Sequence, residues 1–106
     1  MGYGISLTEK RYVTVEVAEV GNYTYNVSGM YREAMDGNSL SDFDGMVASE
    51  AISLLRKGYA DMVNNPEKYE LMNPENGWGN YDGAKKYLGR LLEACYENPD
   101  AIIEVS

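Results

Sequence analysis

Histidine is absent from the 106 residues, and cysteine occurs once, as Cys95. Histidine is the commonest general base near neutral pH and the commonest metal ligand, so its absence excludes Ser-His-Asp and Cys-His arrangements. One cysteine without histidine cannot build a structural zinc site or an internal disulfide in a single chain. The sequence therefore predicts neither a metal nor a cofactor, and it favours a reducing compartment.

Long hydrophobic runs are also missing, and the first residues lack the basic and apolar regions of a signal peptide. We therefore expect no membrane span and a cytoplasmic location. Hydrophobic residues make up 44% of the chain and charged residues 25%, which is ordinary for a globular domain. This length and composition predict a single domain over residues 1–106.

Basic residues are few, because nine lysines and arginines face 17 acids, for a net charge of −8. Such a charge disfavours direct binding to nucleic acid and to anionic membranes. Between Glu33 and Glu50 there are acids and no base, a stretch we call the acid run: Glu33, Asp36, Asp42, Asp44 and Glu50. Two interpretations stay open, a solvated loop that aids solubility and a docking surface for a basic protein, which could mimic DNA phosphate spacing.

Phenylalanine and tryptophan occur once each, whereas tyrosine occurs ten times. Trp78 lies between two glycines, and we favour a loop anchor packed against the helices over an exposed aromatic binding platform. Tyrosines without burial predicted from pattern are Tyr23, Tyr25, Tyr31 and Tyr96. They either cover the margins of sheet and helices or form a binding surface like a paratope.

Hydrophobic periodicity predicts the fold. Residues 3–8 and 12–18 alternate as a hairpin, with Val13, Val15 and Val17 on one face of its second strand, and 101–105 is a short β-prone segment. Residues 47–64 and the segment after Asn80 carry apolar stripes at helical spacing. We predict an α+β fold in which a small antiparallel sheet, the hairpin plus the C-terminal strand, packs against two main amphipathic helices and one or two short helices.

The segments between these elements are less regular. Val20-Gly21-Asn22 predicts a turn, and we favour an extended connector for residues 23–27, with a third strand or an irregular lead into a helix as alternatives. Ser28 is a good N-cap for a short helix. Residues 37–45 predict a polar loop.

Basic residues gather once along the last predicted helix, as Lys85, Lys86 and Arg90. With Trp78 and Tyr81 they could line a small-molecule or nucleotide pocket, although a solvated helix face is the commoner meaning of such a pattern. No phosphate-loop motif and no paired-carboxylate motif supports catalysis. The sequence therefore predicts a protein that is not an enzyme.

Residues 21–28, 73–79 and 98–101 (GNYTYNVS, NPENGWG and NPDA) carry a resemblance that extends over most of the chain from Gly21. The chain resembles a group of small proteins of bacteria, phages and mobile elements for which no activity is established. The resemblance implies a cytoplasmic accessory protein. By analogy it also implies an antagonist of a host defence system, anti-CRISPR-like, that occupies a basic nucleic-acid groove.

Taken together, these features predict a non-enzymatic acidic protein that binds a protein partner with a basic surface. The predicted contact residues are the acid run with Tyr23, Tyr25 and Trp78. The alternative, a small-molecule or nucleotide binder, uses Trp78, Tyr81, Lys85, Lys86 and Arg90. The sequence leaves open whether the chain forms a homo-oligomer.

Overall fold

The computed structural model of the chain describes residues 2–10 and 14–106. It has an α+β fold with three strands and four α-helices within that part of the chain. The strands are β1 (Gly2–Lys10), β2 (Thr14–Thr24) and β3 (Ile102–Val105). The helices are α1 (Ser28–Ala34), α2 (Ala48–Asn64), α3 (Pro66–Glu70) and α4 (Tyr81–Glu97).

The sheet is antiparallel with the order β2-β1-β3, so the first strand of the hairpin is its centre. β3 pairs with β1 from Ile5↔Val105 to Thr8↔Ile102. The prediction that the hairpin and the C-terminal strand share one sheet is confirmed. Tyr3, Ile5 and Leu7 of β1 are buried on the inner face of the sheet, as their alternation predicts.

The turn predicted at Val20-Gly21-Asn22 is wrong, because β2 continues through these residues to Thr24. Two irregularities in the β1–β2 register let β2 absorb extra residues. Gly21 remains in the strand with a φ of 94°, a conformation that favours glycine. The Tyr87 hydroxyl donates to its carbonyl oxygen at 2.8 Å. Gly21, which the sequence predicts to form a turn, therefore lies at a bulge inside a long strand.

The extended connector predicted for residues 23–27 is also wrong. Tyr23 and Thr24 complete β2, and Tyr25–Val27 form a 3₁₀ turn that leads directly into α1. Ser28 is the first residue of α1 and not its N-cap, and its hydroxyl donates to the Tyr25 carbonyl at 2.6 Å. The capping side chain is that of Thr24, which accepts from the Asn26 N–H.

Residues 37–45, predicted as a polar loop, contain a 3₁₀ helix at Leu40–Phe43. Leu40 and Phe43 are buried in the core. A 3₁₀ helix has three residues per turn, so side chains three positions apart lie on the same side of it. The segment after it, Asp44 to Val47, runs beside β3. Its backbone pairs with that strand through Gly45 N–H to Ile103 O at 2.8 Å and Ile103 N–H to Met46 O at 2.9 Å.

The two long helices are confirmed at nearly the predicted bounds. α4 begins after Asn80, whose side chain accepts from the Gly83 N–H at 2.8 Å, and ends before Asn98. Its apolar stripe is buried, and the helix packs against β1 and β2 on one side and α2 on the other. Tyr31, which has no predicted burial, lies fully inside this core and donates to the Ala84 carbonyl at 2.9 Å.

The hydrophobic face predicted for the second strand falls mostly outside the described part. Val13 and the side chain of Val15 lie outside it, while Val17 is half-buried against the core. Within the described residues, no helix is long and apolar enough to cross a membrane.

Candidate functional site

The structure does not gather the acid run into one free surface. Asp36 forms an ion pair with Lys57 at 2.5 Å. Asp42 accepts from the Ser39 N–H at 2.8 Å in a capping box, and Asp44 accepts from the Val105 N–H at 2.9 Å. Only Glu33 on α1 and Glu50 in the first turn of α2 are exposed without a described polar partner. Three of the five acids therefore stabilise local structure.

A second set of carboxylates, which the sequence does not reveal, lies on the outer face of the sheet. Glu19 pairs in register with Ser6, and on the other side Ser6 pairs with Glu104. Glu16 pairs with Thr8 on the same face. All three glutamates are exposed, and we call them the outer-face glutamates. In a regular strand, residues three positions apart lie on opposite faces, so the sequence pattern does not predict that Glu16 and Glu19 share a face. The bulge between their register positions places both side chains on the outer face.

Two cavities share Asn22 as a lining residue. One, of about 180 Å³, is lined by residues of β1 and β2 that include Ser6, Glu16 and Glu19. The other, of about 300 Å³, lies at the end of β2 and is lined by Gly2, Asn22, Tyr23, Thr24, Asn26 and Trp78. β2 thus carries two carboxylates, Glu16 and Glu19, on its outer face and has an aromatic wall at one end.

Trp78 is not the loop anchor that the sequence favours, because 68% of its surface is exposed. Asparagine side chains hold the loop instead. Asn76 accepts from the Trp78 N–H at 2.9 Å, and Asn73 accepts from the Tyr81 N–H at 2.7 Å. The polar side chains of these asparagines satisfy the loop backbone and leave the indole in solvent.

Replacing Trp78 with alanine should therefore change the free energy of unfolding by no more than about 0.5 kcal/mol, as at other surface positions. Tyr81→Ala is the matched control at the other end of the same loop. Tyr81 is buried and donates to the Met62 carbonyl at 2.5 Å, so its truncation should cost about 3 kcal/mol or more. Urea melts of both variants provide the measurement. Equal losses would show that Trp78 supports the fold.

Tyr23 and Tyr25, the tyrosines of the predicted contact surface, pack partly against other residues of the chain. Tyr23 stacks on Tyr87 with ring centroids 5.7 Å apart, and its hydroxyl accepts from the Asn80 N–H at 3.1 Å. Tyr25 packs edge-on against Tyr3 at 4.4 Å. Both are half-buried, so they cover the margin of the sheet and leave limited surface to a partner.

The residues of the predicted ligand pocket do not converge on one cavity, although the Lys85 ammonium lies 5.0 Å from the centroid of the Tyr81 ring. Tyr81 is buried, and Trp78 lies on the cavity at the end of β2. Lys85 and Lys86 both face Asp82, at 4.0 and 2.9 Å, and Arg90 lies over the Tyr87 ring at 5.6 Å from its centroid. Lys86 and Arg90 also line a groove of about 830 Å³ between α2 and α4, together with Tyr59 and Tyr96.

Aspartates neutralise the lysines of the described surface. Lys57, Lys68, Lys85 and Lys86, the four lysines whose side chains are described, each lie within 4.0 Å of an aspartate oxygen. Lys86 and Lys85 hold the pKa of Asp82 below its usual value, and Tyr69 and Lys68 do the same for Asp61. The exposed glutamates named above form no ion pair with a described side chain, so they carry part of the unpaired negative charge of the described surface.

Groups that could serve as nucleophiles or metal ligands are buried or dispersed. Burial raises the pKa of the Cys95 thiol to about 11, as its place on the apolar stripe of α4 predicts for an inert cysteine. In the part of the chain that the structure describes, no three acidic or cysteine side chains are grouped to hold a metal ion. The arrangement offers charge and an exposed aromatic ring for binding.

Comparisons with other proteins leave the resemblance to proteins of bacteria, phages and mobile elements as a prediction. No protein-family model, no curated protein and no solved structure matches this chain.

Proposed function

We propose that this chain is a non-enzymatic binding protein that engages a basic surface of a protein partner. The observation that carries the proposal is that aspartates form the ion pairs of the described surface, whereas its exposed glutamates form none. Aspartates neutralise the described lysines, while the exposed glutamates without a described ion pair outnumber the exposed arginines without one, Arg32, Arg56 and Arg90, so the unpaired charge of the described surface is mainly negative. Unpaired surface charge of one sign steers association with a surface of the opposite sign and disfavours other partners.

The outer-face glutamates are the best placed part of that charge. Glu19 and Glu104 flank Ser6 across three neighbouring strands, and Asp44 lies at the edge of β3 beside them. A paired sheet is a rigid support, so these carboxylates are held in a fixed pattern before a partner binds. Glu33 and Glu50, the free members of the acid run, are a second contact region under the same proposal.

The finer identity of the partner follows from the resemblance. An acidic protein encoded by a phage or mobile element could block a host defence protein by occupying the basic groove that ordinarily holds nucleic acid. The net charge of −8 supports this mode of action, because carboxylates in such a groove take the place of phosphates. We extend the proposal to this class of partner and to a cytoplasmic site of action.

The test is capture of partners from extracts of the source organism, followed by titration of the purified partner. Glu16→Gln/Glu19→Gln/Glu104→Gln keeps side-chain shape and removes three charges. Each exposed charge contributes at most about 1 kcal/mol, so affinity should fall by about tenfold to a hundredfold at low salt, and by less at high salt. A Glu33→Gln/Glu50→Gln variant measures the second region in the same way.

Glu67→Gln/Glu70→Gln is the matched control, because both residues are exposed on α3 and away from the sheet. It should bind with nearly unchanged affinity. A partner with an acidic surface, or binding that no glutamate variant weakens at low salt, would overturn the proposal.

A second candidate function is favoured by the groove between α2 and α4. Its volume suits a small ligand, and Tyr59, Tyr96, Lys86 and Arg90 offer aromatic and cationic contacts. Glu93 and Glu97 line the same groove and oppose a phosphate group, which ranks this nucleotide-binding alternative second. Thermal shifts with a nucleotide panel would distinguish the two functions.

A further inference from the structure

The two edges of the sheet differ. The edge of β3 is covered by the segment from Asp44 to Val47, which bonds to it through backbone groups of Gly45 and Met46 and through the Asp44 carboxylate. On β2, between Thr14 and Asn22, backbone groups form no hydrogen bond to any described strand or loop other than β1, and the Gly21 carbonyl accepts from the Tyr87 hydroxyl of α4. An uncovered strand edge presents unpaired N–H and C=O groups that another strand can pair with.

The open edge is long enough for recognition. β2 has 11 residues, about twice an ordinary strand, and α4 supports its inner face. The Tyr87 hydroxyl fixes the bulge at Gly21 through its carbonyl, which holds the strand in one register. An incoming segment therefore meets a preformed template and not a flexible loop.

The charge of this edge selects the kind of strand that fits. Glu16 and Glu19 project on the outer face of β2, and neither forms an ion pair with a described side chain. Residues directly opposite on neighbouring strands lie about 5 Å apart, where opposite charges attract and like charges destabilise. Pairing β2 with β2 of a second copy would bring these carboxylates toward each other, so the edge favours a basic segment of another protein.

The cavity at the end of β2 adds a specific contact. Trp78, with 68% of its surface exposed, forms one wall of it beside Asn22 and Thr24. A strand added to β2 would run past this wall, and a lysine or arginine near its end could lie over the indole ring. Such a cation–π contact contributes about 0.5–2 kcal/mol.

We propose that the open edge of β2 takes an extended segment of the partner as a fourth strand, with lysine or arginine at alternate positions facing Glu16, Glu19 and Trp78. This inference rests on the proposed function, because it specifies which part of the basic partner binds and in what conformation. Main-chain hydrogen bonds supply affinity in this mode, and the alternate side chains supply specificity.

Three short peptides, acetylated and amidated, test the proposal on the full chain. The first alternates lysine and valine, and the second alternates lysine and proline with the same charge. The third alternates glutamate and valine. Proline lacks the N–H that a strand ladder needs, so the lysine–valine peptide should bind at least about tenfold more tightly than the lysine–proline peptide. The glutamate–valine peptide should not bind.

Amide hydrogen exchange locates the peptide. The lysine–valine peptide should slow exchange at alternate residues of β2 and leave β3 unchanged, and it should shift the emission of Trp78, the single tryptophan. Glu16→Gln/Glu19→Gln should weaken this peptide by about tenfold, whereas Glu67→Gln/Glu70→Gln should not. These variants keep side-chain shape at exposed positions and should fold as the parent chain does.

Equal binding of the two lysine peptides, without protection of β2, would overturn strand addition and leave the proposed function standing, because charge alone would then drive binding. If neither lysine peptide binds, strand addition is also overturned. The capture experiment with the whole partner decides the proposed function separately. Protection of β2 by the lysine–valine peptide alone would establish the site.

Discussion

Tyr31→Ala should lower the free energy of unfolding by about 3–5 kcal/mol, a large share of the stability of a domain of this size. Tyr31 is fully buried in the core, where its ring packs edge-on toward Tyr3 at 6.1 Å. Its hydroxyl donates to the Ala84 carbonyl of α4 at 2.9 Å. Truncation removes the ring that joins α1 to the sheet and α4, and it leaves a cavity that the rigid surroundings cannot fill.

Urea melts of three variants separate the contributions to that loss. Tyr31→Phe keeps the ring and removes one hydrogen bond, so it should cost about 1 kcal/mol. Tyr96→Ala removes a ring that is half exposed, and it should cost less than the buried truncation. A loss for Tyr31→Ala no larger than that for Tyr96→Ala would contradict the placement of Tyr31 in the core.

Alkaline pH should unfold this protein steeply, because several buried groups keep their protons in the folded state. Burial raises the pKa of Tyr87 to about 12, and it also raises the pKa values of Tyr31 and Tyr69. A raised pKa contributes stability that is complete below the unfolded value near 10 and is lost as pH rises above it. Each buried phenol should then lower the free energy of unfolding by up to about 1.4 kcal/mol per pH unit.

Urea melts from about pH 8 to about pH 11.5 measure that slope. Cys95, whose pKa burial raises to about 11, should begin the decline from about pH 9. Tyr87→Phe removes one of the three phenols, and since Cys95 contributes over part of the same range, it should reduce the slope above pH 10 by about a quarter to a third. A free energy of unfolding that stays constant to pH 11.5 would contradict the burial of these hydroxyl groups.

The predictable part of the fold rests on regular periodicity. The stripe from Ala84 to Cys95 repeats at helical spacing, and Asn80 ahead of it has few roles other than capping, so α4 could be predicted with its bounds. The alternation of Tyr3, Ile5 and Leu7 in the same way predicts the buried face of β1. Each of these elements buries one continuous face, so the local sequence pattern is sufficient to predict it.

The candidate site could not be predicted because it depends on irregularities and on contacts distant in sequence. Gly21 is a bulge and not a turn only because β1 and Tyr87 hold it in the sheet. Asp44 bonds to Val105, which lies 61 residues away, so its carboxylate has a structural role that local sequence does not show. Trp78 is exposed because neighbouring asparagines satisfy its loop.

The order of strands in the sheet has a consequence for how the chain folds during synthesis. Among the described elements, the central strand β1 is made before the others and its partner β3 after them, although Ile5 pairs with Val105. The hairpin can close early, but one edge of β1 stays unpaired until the four helices and β3 have been made. Contacts so distant in sequence slow folding, and an unpaired hydrophobic strand is prone to aggregate meanwhile. Early docking of α4 on β1 and β2 would cover the apolar face of the hairpin during that interval, although only β3 can close its remaining edge.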